Sequence, residues 1–125
     1  MKSYKTITKD LEWNPSGLAF IKTLIWNCSN LIIVMYYQNR DHLTMWPNTD
    51  VKFVEIEFHF LDVTAFRFNS NNDNLHQLTG FDILDKSNEG LEGINFHVLD
   101  YENDTIEFYC DDILFKVKSE NIRIS

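Results

Sequence analysis

The chain has 125 residues, a formal net charge of −8 and a hydrophobic fraction of 44%. That length predicts one domain (1–125), and the apolar content, ten Phe included, excludes wholesale disorder and supplies a core without staples. Residues 1–62 carry six Lys/Arg against seven Asp/Glu and residues 63–125 five against twelve, so nucleic acid and anionic membranes are poor partners and a basic protein or a cation is a better one.

Taken in chain order, the N-terminal MKSYKTITKDLEW has lysines with no apolar stretch behind them, so a secretory signal is not expected. No apolar run approaches the ~20 residues that span a bilayer. A cytoplasmic protein is the expectation. Trp13 to Gly17 form a turn cluster. Residues 18–26 read as a strand, because β-branched and aromatic residues dominate a short run, although a helix over 16–26 also fits their spacing. Residues 30–37 are apolar on both faces, the signature of a central strand. Residues 38–50 form a polar connection with Trp46-Pro47 at its tip. Residues 51–60 alternate, with Val54, Ile56, Phe58 and Phe60 on one face and Glu55, Glu57 and His59 on the other.

Residues 63–68 read as a further strand and 69–74 as a loop. Residues 75–79 are short and undecided, with a helix over 71–79 as the alternative. Residues 81–85 read as a strand and 87–93 as a turn. Residues 94–118, INFHVLDYENDTIEFYCDDILFKVK, then supply three alternating runs joined at Asn103-Asp104 and Asp111-Asp112. That pattern predicts a meander of hairpins. Ile122 and Ile124 could add an edge strand. The expected class is all-β, or β-rich α+β: an antiparallel sheet or β-sandwich of about eight short strands. Cys28 and Cys110 each lie in apolar sequence and are expected as free, buried thiols.

Six carboxylates fall on or between the last three runs: Asp100, Glu102, Asp104, Glu107, Asp111 and Asp112. They form either a solvated surface or an anionic docking face that converges if both loops lie at one end. Tyr101 and Tyr109 flank them as candidate anchors. A Ca²⁺ site on alternating Asp100, Glu102 and Asp104 lacks the glycine-containing loop pattern of an EF-hand. A metal site or metal-dependent enzyme would use His59, His97 and the same carboxylates. Period-two alternation already explains those histidines as the polar side of strands. The chain has no G-x-S-x-G, H-E-x-x-H, phosphate-cradle or dinucleotide motif. An enzyme and a cofactor are therefore not expected.

The layout N-P-S-G-L…L-I-W…L-I-I-V-M-Y-Y, then F-V-E-I-E-F-H-F-L-D-V-T-A-F-R-F-N, then I-N-F-H-V-L-D-Y-E-N-D-T-I-E-F-Y-C-D-D-I, resembles small β-rich immunity proteins of bacterial polymorphic-toxin loci. The resemblance covers residues ~13–118 as a pattern of strands and loops, and its most specific piece is D-Y-E-N-D-T-I-E-F-Y-C at 100–110. It implies a β-sandwich-like fold and a non-enzymatic, cytoplasmic inhibitor that binds one cognate protein toxin. Charge alone adds that the toxin is basic. The expected partner-binding residues are Asp100, Tyr101, Glu102, Asp104, Glu107, Tyr109, Asp111 and Asp112. A metal-binding domain and a non-catalytic oligomeric protein, a homodimer included, stay open at this point.

Overall fold

The computed structural model describes residues 1–41, 43–69, 76–102 and 104–124. Among them ten strands build two antiparallel sheets. They are β1 (Lys2–Ser3), β2 (Leu18–Asn27), β3 (Asn30–Tyr37), β4 (Phe53–Leu61), β5 (Thr64–Phe68), β6 (His76–Gln77), β7 (Phe81–Asp85), β8 (Phe96–Asp100), β9 (Ile106–Cys110) and β10 (Asp112–Ile122). The six-stranded sheet has the order β1-β10-β4-β3-β2-β6, and the four-stranded sheet β5-β9-β8-β7. The two strands beyond the expected eight, β1 and β6, are two residues each.

Leu18 to Asn27 form a strand, not a helix. Asn14 ends the preceding segment by accepting the Ser16 N–H at 3.1 Å, and Pro15 opens a single 3-10 turn that stops at Gly17. Of the residues 71–79, those numbered 71–75 lie outside the described residues, and His76–Gln77 pair with β2 as a strand. Ile122 completes β10 opposite Phe53 and adds no separate edge strand.

The expected meander holds for β8–β9 but not beyond it. Asp111 alone carries the chain out of the four-stranded sheet into β10 of the six-stranded one. The β4–β5 connection makes the same crossing at Asp62-Val63. Asp112 pairs with Leu61 on one side of this corner and Thr64 with Tyr109 on the other. The two bent strands therefore run as one ribbon from sheet to sheet. The Asp111 N–H donates to the Leu61 carbonyl at 2.9 Å at the bend. Asp62 and Ala65 sit at φ 54, and the pairing shifts register between Thr64 and Arg67. Bulges of this kind let a strand turn a corner between packed sheets.

The inner faces enclose the core. Leu31, Ile33, Met35, Ile56, Phe58, Phe60, Ile113 and Phe115 of the large sheet meet Phe81, Ile83, Phe96, Val98, Ile106, Phe108 and Cys110 of the small one. Phe60 and Phe108 join the layers edge to face at 4.9 Å. The outer side of β3 is apolar because a second cluster covers it: Ala19, Phe20, Tyr36 and Phe53 pack with Trp46, Ile122 and Ile124. Trp46 is thus no exposed tip. Its indole N–H donates to the Gln38 carbonyl at 2.8 Å. Both cysteines are free, but only Cys110 is buried. Cys28 lies at the β2–β3 turn with φ 58, where the hairpin projects it into solvent.

Candidate docking surface

Successive connections of antiparallel strands alternate between the two ends of a sheet. Asp100, Tyr101, Glu102 and Asp104 therefore cluster at the β8–β9 turn, while Asp111 and Asp112 lie at the far end of β9, beside Asn95. The five residues of β9 separate the groups by roughly 17 Å at the usual rise per residue. The expected convergence of all the carboxylates at one end does not occur.

The turn residues have unlike environments. Asp100 is 1% exposed, and its Oδ1 accepts the Gly80 N–H at 2.9 Å. It is a buried structural acceptor and not part of an exposed face. Tyr101 is 62% exposed. Glu102 is exposed, and its aliphatic stem lies over Gly80, where an added Cβ would stand 2.6 Å from its Cγ. Asp104, at φ 54, pairs with the Arg67 guanidinium at 2.6 Å. Arg67 holds the Asp104 carboxyl below its ordinary range.

Glu107 and Tyr109 stand on the outer face of the small sheet. Arg67 Nη2 donates to Glu107 Oε1 at 2.5 Å, and Glu107 Oε2 lies 2.7 Å from His97 Nε2. Arg67 first, and His97 after it, lower the Glu107 pKa. The His97 ring stacks on Tyr109 with centroids 4.3 Å apart. These contacts tie β5, β9 and β8 together across their outer face. At the far end the Asp111 carboxylate accepts from Asn95 Nδ2 at 2.8 Å, and that of Asp112 from the Ile113 N–H at 2.8 Å.

His59 and His97 share no site. His59 faces outward from the large sheet against Glu57 at 2.7 Å, whereas His97 faces outward from the small sheet. The core lies between them. Among the described residues no three His, Cys, Asp or Glu side chains converge to hold a metal ion.

The turn end carries further residues that the sequence reading did not single out. Arg40 donates from Nη2 to the Thr79 carbonyl at 3.0 Å, and from Nε to the Ser16 carbonyl at 2.9 Å. Its guanidinium lies 3.6 Å from the centroid of Trp46. Exposed Met45 and Val51 belong to the same 38–52 segment. Apolar side chains in an otherwise polar connection were the available signal for them. Arg40 and Gly80 gave none, because their contacts are long-range.

The two antiparallel layers thus present exposed Tyr101 and Glu102 at one end. The chain belongs to the family described as Immunity protein PIM8, whose model matches residues 7–117. Neither curated proteins nor solved structures yield a match.

Proposed function

We propose that this chain is a stoichiometric, non-catalytic inhibitor that binds one cognate toxin domain in the cytoplasm and occludes it. Membership of an immunity protein family over residues 7–117 is the observation that carries this reading. Of the predicted partner-binding residues, Tyr101, Glu102 and Asp104 share one exposed end of the fold, and they form the proposed docking surface. Tyr101 supplies apolar area with a polar tip, the profile of an interface anchor. Among the described residues no Lys or Arg forms an ion pair with Glu102. With a net charge of −8, the chain attracts and orients a basic partner. Glu107 and Tyr109 stand beside this end on the outer face of the small sheet, where they fix β9, and Asp111 and Asp112 fall outside the docking surface.

Co-expression tests the reading. Cells producing the toxin domain encoded beside this chain are expected to grow only when the chain is also produced, and the two proteins are expected to co-purify. Tyr101→Ala with Glu102→Lys is expected to abolish protection while leaving the chain soluble. Failure of the unaltered chain to bind or protect would overturn the reading.

A further inference from the structure

We propose that the Thr79-Gly80 corner is a clamp that holds the Tyr101-Glu102 turn in its docking conformation before a partner arrives, and that Asp100 is a positioning residue which never meets that partner. The inference rests on the turn being the docking surface.

Hairpin turns at a sheet end are ordinarily the more mobile parts of a fold. This one is gripped from below. The Gly80 N–H donates to Asp100 Oδ1 at 2.9 Å, and the Tyr101 N–H donates back to the Gly80 carbonyl at 3.1 Å. Within the turn, the Asp104 N–H donates to the Asp100 carbonyl at 2.9 Å. The close seat of Glu102 on Gly80 requires that residue 80 have no side chain, since a Cβ there would meet Glu102 Cγ at 2.6 Å and Cβ at 3.1 Å. The corner is braced in turn: Arg40 holds the Thr79 carbonyl, and Trp46 backs the guanidinium. The Leu78 N–H donates to the Ala19 carbonyl at 2.7 Å and anchors the corner to the large sheet.

Asp100 is a costly choice for such a place. Its Oδ2 and the Thr79 Oγ1 are buried side-chain oxygens without a hydrogen-bond partner among the described residues. Burying a carboxylate with one oxygen unpaired opposes folding. What the side chain contributes locally is a fixed acceptor for Gly80 next to the exposed Tyr101. A turn already held in its bound shape avoids the entropic cost of ordering on association. When only a fraction of molecules is competent to bind, affinity falls by that fraction.

The test compares the unaltered chain with Asp100→Asn, Asp100→Ala, Gly80→Ala and Tyr101→Ala. Hydrogen exchange is followed at the Tyr101 and Asp104 amides in the chain alone, and association with the neighbouring toxin domain is measured separately. Asp100→Ala and Gly80→Ala are expected to speed exchange at those amides roughly tenfold or more, with β3 and β4 unaffected. Toxin affinity is expected to fall in proportion to the fraction of molecules that leaves the docking conformation. Asp100→Asn keeps an oxygen acceptor and is expected to stay near the unaltered chain. Gly80→Ala carries the test if Asp100→Ala does not fold. Unchanged exchange at the two amides, or faster exchange spread equally through β3 and β4, would overturn the clamp. Normal binding by the clamp variants, with Tyr101→Ala impaired, would overturn its role in docking. Normal binding by Tyr101→Ala itself would overturn the docking surface.

Discussion

Arg67 shows how one side chain can absorb charge that a sequence presents as free. Its guanidinium bridges Asp104 and Glu107, and Glu107 reaches on to His97. Both carboxyls are held below their ordinary range, chiefly by Arg67. A depressed folded pKa stabilises the fold above the unfolded value and ceases to do so as pH falls through the folded value. This strap is therefore intact at neutral pH, and its contribution is lost only on acidification below the ordinary carboxylate range, as pH falls through the depressed folded values. Glu107→Gln is expected to cost about 1 kcal/mol at pH 7 and to flatten the acid limb of the stability curve. Urea midpoints measured from pH 7 to pH 3 check this, and a variant curve parallel to that of the unaltered chain would contradict it. The two thiols give a second contrast. Burial first, then Asp112 and Asp111, push the Cys110 thiol up to about 12. Reactivity follows the exposed thiolate, so an alkylating reagent is expected to modify Cys28 quickly and Cys110 only on unfolding. Mass spectrometry of the native protein distinguishes the sites, and fast labelling of Cys110 would contradict the packing described.

Strand patterning was the most legible element in the sequence. Residues 30–37 and 81–85 coincide with β3 and β7, because their alternation or two-sided apolarity records burial directly. The corner at Asp111 was not legible. Tight turns within one sheet and between two sheets use the same residues. Here the choice is made by long-range pairing, Asp112 with Leu61 and Thr64 with Tyr109. The carboxylates on either side of β9 part company because the connections before and after an antiparallel strand lie at its opposite ends. Charge counts recorded their number but not their direction. The polar neighbours of Asp100 predict exposure, whereas its burial depends on Gly80, twenty residues away. The packing of the two layers depends on rings that cross between them. Phe108 is fully buried and touches Phe60 and Phe66. Phe108→Ala is expected to cost about 3–5 kcal/mol, the transfer term plus the cavity left behind. That is several times the effect at Glu107, and for a marginally stable fold it threatens folding at physiological temperature. Thermal unfolding checks it, and a loss below about 1 kcal/mol would mean that the sheets pack without this ring.

For the whole molecule, the family assignment defines the class of activity, and the fold decides where the activity can reside. Acidic groups at the far corner, Asp62, Asp111 and Asp112, and those at the β8–β9 turn are separated along the sheets. The docking proposed for the turn end rests on exposed Tyr101, with Glu102 beside it and the Gly80 corner beneath. Charge then acts on the encounter more than on the final contact. Association with a basic partner is expected to slow as salt screens the −8 chain. The most direct measurement of the central claim is a calorimetric titration of the neighbouring toxin domain with the unaltered chain and with Glu102→Lys, at low and at physiological salt. The account predicts a saturable one-to-one complex whose affinity falls with salt and drops roughly tenfold or more on charge reversal at position 102. A complex indifferent to both salt and Glu102→Lys, or no complex at all, would contradict it.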